Sequence, residues 1–203
     1  INLGKRPLIS AMLHYHAGLL NSIHGNLKTS LSHNLEAEHL FIQEHNHIRL
    51  ISVQTNIATI YARQKSLDKA LEIYNRLLKE AIRSKNEDIE IVTRYNIAWC
   101  YKLMKRYEDS NLIIENIEQV SSLDPLFKLK FQILDFENKN QQNDDYCNCL
   151  KDFLSQTQAS YDYENTEFVL DKLIDYYELK HSYKCANQYL KDKIQIIERK
   201  FSK

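Results

Sequence analysis

The chain has 203 residues, 43% of them hydrophobic, and its 27 Lys and Arg are matched by 27 Asp and Glu, giving a formal charge of zero. No stretch gathers enough Lys and Arg to track a phosphate backbone, which argues against direct nucleic-acid binding. No apolar run nears the ~20 residues of a membrane span, and no leader pattern marks secretion, so a cytoplasmic protein is expected.

Three Gly and two Pro leave little material for strand hairpins, whereas Leu, Ile, Lys, Glu and Gln favour helix. Taken in chain order, helices are predicted at 8–23, 27–45, 48–64, 67–84, 88–104, 107–121, 125–140, 144–158, 163–180 and 183–201. Start signals support several of them: Ser66 before Leu67, Asn86 before Glu87, and Asp124 followed by Pro125 in a first turn. Paired, they give hairpins near 8–45, 48–84, 88–121, 125–158 and 163–201, a length suited to one domain spanning 1–203.

One segment recurs. Asn56, Ile57, Ala58 and Tyr61, followed by Leu67, Ala70 and Tyr74, return 40 residues later as Asn96, Ile97, Ala98 and Tyr101, followed by Tyr107, Ser110 and Ile114. Fainter copies run through Gly18, Leu27 and Ser30, through Phe136, Tyr146, Cys149 and Phe153, and through Ile174, Tyr177, Tyr183, Ala186 and Leu190. Small residues at helix contacts with aromatics one turn away fit ridge-into-groove packing. A fixed period means hairpins that bury their apolar faces only against neighbours. The pattern resembles the tetratricopeptide repeat, with longer helices and without the usual proline after the second helix. The expected fold is all-α, a right-handed superhelical solenoid of about five such hairpins.

Reactive side chains form no recognisable machinery. Cys100, Cys147, Cys149 and Cys185 are too scattered for a disulfide scaffold, and Cys147 and Cys149, two apart on a helix, point to nearly opposite sides. Seven of the eight His fall between His14 and His47. The pairs Glu36 with His39 and Glu44 with His47 look like half of a di-iron site. Read as one helix, they stand about 12 Å apart along its axis and cannot share a metal pair. Neither a nucleophile elbow nor a phosphate-cradling glycine loop is present. No enzyme, no cofactor and no metal site is expected.

Function then rests on what the first helix of each hairpin presents. Helical periodicity places Ser52, Thr59 and Arg63 on the stripe of Asn56, and Val92, Trp99 and Leu103 on that of Asn96, with Lys102 beside them. The first hairpin offers Met12, His16, Leu19 and Ile23. An Asn amide both donates and accepts, so it can pair with the backbone of an extended peptide without reading its sequence. The competing reading is that both Asn stitch adjacent helices. A carboxylate clamp for protein tails needs Lys or Arg on this face, where Val92 and Asn96, or Phe131 and Asp135, stand instead.

The stretch from Asn56 to Asp109, with its two Asn-Ile-Ala segments and Arg106-Tyr107-Glu108, resembles the peptide-sensing regulators of Gram-positive bacteria. That group includes the Rap, Rgg, NprR, PlcR and PrgX types, PlcR being nearest; the alternatives are a Rap-type inhibitor of a response regulator and a general protein-interaction scaffold. The resemblance implies a concave groove for a short re-imported signalling peptide, with Asn56 and Asn96 on the ligand backbone. It also implies transcriptional regulation through an N-terminal helix-turn-helix domain, which these residues do not contain. Ile1 in place of Met fits a piece of a longer protein. A homodimer is expected as well, because the last helix spreads Tyr189, Ile194, Ile196, Ile197 and Phe201 around its circumference.

Overall fold

The computed structural model describes residues 7–117 and 123–201, the last two by backbone alone. The fold is all-α. Ten helices are seen among these residues and no strand: α1 (Pro7–Ile23), α2 (Leu27–Gln43), α3 (His47–Arg63), α4 (Leu67–Ser84), α5 (Glu87–Leu103), α6 (Tyr107–Ile117), α7 (Pro125–Asn138), α8 (Asp144–Ala159), α9 (Tyr163–Leu179) and α10 (Tyr183–Phe201). None is long and apolar enough to cross a membrane. The end of the helix predicted to reach residue 121 lies outside the described residues. The chain divides into two compact units, Ile1–Ile117 and Glu118–Lys203.

Eight links between successive helices share one helix ending among the described residues. Left-handed residues stand at Gly25, His45, Lys65, Lys85 and Lys105, one every 20 residues, and again at Asn140, Tyr161 and His181. Around each, two backbone bonds close the preceding helix: Lys65 N–H to Ala62 O and Ser66 N–H to Tyr61 O, both at 2.9 Å, are typical. This is the Schellman arrangement, which satisfies carbonyls orphaned at a helix end. In all but one of these links the next residue also starts the following helix. Asn46, Asn86 and Asp162 accept from Arg49, Ile89 and Asn165 N–H through their side chains. Asp124 caps α7 likewise, but Ser66 makes no such side-chain bond. The turn also explains why α2 stops at Gln43 rather than residue 45: His45 is already left-handed.

In the first unit each helix packs on the next, and α1, α3 and α5 also touch side by side. Gly18, Ala58 and Ala98 are buried at the close approaches. Opposite the first and last, Ser30 Oγ donates to Gly18 O and Ser110 Oγ to Ala98 O, both at 2.8 Å. The middle hairpin has Ala70 at that place and packs without the bond. One apolar cluster joins Ala58, Ala70, Tyr74 and Leu77 to Ile97 and Cys100 of α5. Burying a side chain of leucine size contributes ~1.5–3 kcal/mol, so the cluster locks adjacent hairpins.

The second unit is centred on Tyr146, Leu150, Phe153, Val169, Leu173 and Tyr176. Cys147 and Cys149 point to opposite sides of α8, and both sides are covered: Cys147 Sγ meets the Tyr177 hydroxyl, and Cys149 Sγ faces Gln132 of α7. On α10, Ile196 is buried and Tyr189 and Ile197 are half-buried, which leaves Ile194 as its exposed isoleucine among the described residues. The side chain of Phe201 lies outside the described residues.

Candidate functional site

The repeat register sets His16, Asn56 and Asn96 at one position of α1, α3 and α5. Both Asn are half-buried. If they stitched helices together, their amides would be hydrogen-bonded to a neighbour. Among the described residues neither side chain has such a partner, and Asn56 Nδ2 is buried without one. Leaving an amide donor unpaired in that way costs ~1–3 kcal/mol.

The residues expected beside them divide into two sets. Thr59 is spent inside the hairpin: its Oγ1 donates to Thr55 O at 2.9 Å and meets the hydroxyl of Tyr74 on α4 at 2.9 Å. Burial pushes the Tyr74 phenol well above its usual range, so that hydroxyl keeps its proton. Arg63 reaches back to α1, where Nη1 donates to Ser22 O at 2.9 Å and Ser22 Oγ at 2.7 Å, a cation set at a helix C-terminus. Ser52 Oγ turns back to Ile48 O at 3.4 Å. These side chains take the nearest available partner, which a one-helix periodicity cannot reveal.

The remaining set differs in exposure. Val92 and Lys102 are half-buried, and Leu103 is exposed. Trp99 packs one side against the α3–α5 cluster. On α1, Leu19 is half-buried, while His16 is exposed with its ring 5.3 Å from that of Tyr15. The face offered by α3 and α5 is therefore two amides flanked by an indole and aliphatic side chains. It can hold an extended backbone and cover apolar side chains.

Histidine clustering has a structural outcome. His14 of α1 and His33 of α2 pair with Nδ1 atoms 3.0 Å apart. Glu36 and His39 lie on α2, but Glu44 caps that helix and His47 begins α3, so the expected single helix is in fact broken by a turn. Among the described residues no three His, Cys, Asp or Glu gather to hold a metal. Burial pushes the Cys100 thiol up to about 12 and that of Cys149 up to about 11, which leaves both unreactive near neutrality.

Sequence patterns carried no hint of a cavity of about 500 Å³ in the second unit, lined by Gln158, Tyr161, Tyr163, Asp192, Gln195 and Arg199 among others. Its walls come from one end of α8, the start of α9 and the side of α10, a combination no local spacing encodes.

Residues 49–112 match the tetratricopeptide repeat family. No curated protein matches the sequence. Among solved structures, the fold is similar to the apo form of RapI, at 13% identity and a TM-score of 0.59, over 97% of this chain and 86% of that one. It is similar to aspartyl phosphate phosphatase F from Bacillus subtilis, at 15% identity and 0.53, over 93% of this chain but only 60% of that one. A putative kinesin light chain with tetratricopeptide-like repeats from Podosopora anserina is similar at 11% and 0.56, over 98% and 99%. At such identities what is shared is the fold, a tetratricopeptide-like array of the kind seen in Rap proteins.

Proposed function

We propose that this chain is the peptide-sensing domain of a cytoplasmic regulator, binding a short linear signalling peptide across α3 and α5 without catalysing any reaction. The single observation that carries this is the pair of unpartnered amides, Asn56 and Asn96, one repeat apart on adjacent helices. Packed helices stand ~8–10 Å apart. An extended chain rises ~3.3 Å per residue, so two amides at that separation suit peptide groups about three residues apart. Trp99, Val92 and Leu103 then cover the apolar side chains between them, with Leu19 and Lys102 at the margins.

Titration calorimetry with short peptides encoded beside the gene tests this. Replacing Asn56 or Asn96 by Ala is expected to weaken binding by ~1–3 kcal/mol each, because backbone groups of the bound peptide lose their partners. Unchanged affinity in both variants refutes the assignment. The resemblance to the PlcR type suggests that the output is transcriptional, through a DNA-binding domain in front. The likeness to RapI and to aspartyl phosphate phosphatase F favours a second reading, in which the array docks on a response regulator protein. Pull-down with DNA against pull-down with phosphorylated response regulators separates the two outputs.

A further inference from the structure

The second helices of the hairpins can be compared in the repeat register, where Leu67, Ala70 and Tyr74 of α4 correspond to Tyr183, Ala186 and Leu190 of α10. In that register Glu80 and Arg83 of α4 become Ile196 and Arg199 of α10, and Arg76 becomes Asp192. On α4 the arginine is answered by its own helix, with Arg83 Nη2 standing 3.4 Å from Glu80 Oε1. On α10 a buried isoleucine replaces that carboxylate, and among the described residues the Arg199 guanidinium has no ion pair or hydrogen bond. One face of α10 thus carries an acid, Asp192, then Gln195 and Ile196, then a cation, Arg199. Gln188 Nε2 donates to Asp192 Oδ1 at 3.0 Å, which steadies the carboxylate.

This face walls the cavity of about 500 Å³ described above, a volume within the range of small-ligand sites. The inner lining offers little to hydrogen-bond. Ile196 is buried there, and the buried Thr157 and Thr166 donate their hydroxyls to the nearby carbonyls of Leu154 and Asp162. The rim is the opposite: Gln158, Tyr161, Tyr163 and Gln195 carry donors and acceptors whose side chains meet no partner among the described residues.

That distribution selects a ligand chemistry. An inorganic anion meets a single cation here and has Asp192 to repel it. A hydrocarbon strands the polar groups of the rim without partners. A zwitterion satisfies both ends. Asp192 and Arg199, seven residues apart, stand ~10 Å apart along the helix axis. Extended backbone covers ~3.3 Å per residue, so about three residues bridge them. Between the ends, the Gln158 and Gln195 amides both donate and accept, which suits peptide groups.

We propose that the α8–α10 cavity binds a tripeptide-sized peptide with free termini, its carboxylate on Arg199 and its ammonium on Asp192. Every wall lies within the second unit and none comes from α3 or α5, so the site is independent of the longer signalling peptide assigned to Asn56 and Asn96.

Titration calorimetry of the 203-residue chain with trialanine tests it. Trialanine is expected to bind once per chain, and its N-acetyl and C-amide forms to bind roughly tenfold more weakly or worse, each lacking one charge. In Arg199→Ala, trialanine and its amide are expected to bind alike; in Asp192→Asn, trialanine and its N-acetyl form. Both side chains lie at the surface, so circular dichroism is expected to match wild type, and Asn56→Ala is expected to leave trialanine binding unchanged. 6-Aminohexanoate, with the same charges but no peptide groups, is expected to bind more weakly. Three results overturn the proposal: no saturable binding by about 10 mM trialanine, equal binding of the blocked peptides or of 6-aminohexanoate, or binding that Asn56→Ala abolishes and Arg199→Ala spares.

Discussion

The two units hold their helices together by different means. In Ile1–Ile117 the contacts are close approaches of backbone over Gly18, Ala58 and Ala98, sealed twice by a serine hydroxyl on a carbonyl. In Glu118–Lys203 rings make the contacts: Tyr146 stands 5.9 Å from Phe136 and 6.1 Å from Tyr176, and Tyr177 stacks on Tyr189 at 5.6 Å. Phenol hydroxyls there are tied to carboxylates, Tyr146 to Glu137 and Tyr176 to Asp144, each at 3.0 Å. Close backbone approach admits only the smallest side chains. Ring packing, by contrast, can be satisfied by different aromatics at shifted positions. The first unit is therefore brittle in residue identity, and the second is tolerant.

Alkaline unfolding gives the largest expected contrast. The Cys100 thiol is raised from 9.0 to about 12 by burial. A raised folded-state value means that the proton is held more tightly in the fold, so this stability is complete below pH ~9 and is lost as pH climbs from 9 towards 12. On that shift the loss by pH 12 is on the order of 4 kcal/mol. Cys149 in the second unit, raised only to about 11, loses less. Urea midpoints measured against pH are expected to fall less steeply for Cys100→Ala than for Cys149→Ala; the reverse order breaks the comparison.

Next comes Gly18→Ala, whose new Cβ would overlap Asn34 Nδ2, itself fully buried. Overpacking of this sort costs ~1–3 kcal/mol. Adding Asn34→Ala removes the obstacle, so urea unfolding of the double variant is expected to recover part of the loss; strict additivity disproves the contact. Tyr146→Phe probes the other unit. It deletes one hydrogen bond to Glu137, which keeps Lys172 at 2.6 Å, so a loss of about 1 kcal/mol is expected. The smallest effect is a gain: Lys105→Gly relieves a left-handed backbone at φ 60° and is expected to raise the urea midpoint by up to ~1 kcal/mol equivalent.

These differences explain what could be read in advance. The Asn-Ile-Ala segments and their small partners betrayed the first unit, because geometry forbids larger residues at Ala58 and Ala98. The second left only faint copies, since Phe136 and Tyr146 do by ring contact what Ala98 and Ser110 do by proximity. Turn residues were harder. His45, Lys65, Lys85 and Lys105 adopt a conformation usually marked by glycine, so the 20-residue link period stayed hidden in the sequence. At the candidate site, periodicity put Asn56 and Asn96 at one register position but could not foresee that Thr59 and Arg63 find partners on α4 and α1. The α8–α10 cavity was invisible for a similar reason.

The shared link residue has a consequence for how such a chain can change length. From α2 to α5, Asn46, Ser66 and Asn86 each end one helix and begin the next, so no spare residue exists where an insertion can be absorbed. One extra residue within a helix rotates everything beyond it by about 100° and turns the buried stripe outward. Growth or loss in that stretch is confined to steps of a whole hairpin, since half a hairpin reverses the direction of every later helix. The α7–α8 link differs: Gln141, Gln142 and Asn143 separate the left-handed Asn140 from α8, and Asn143 alone caps it. A peptide tag or fluorescent domain placed after Gln141 is tolerated on this reasoning, and the same insert after Lys65 is not.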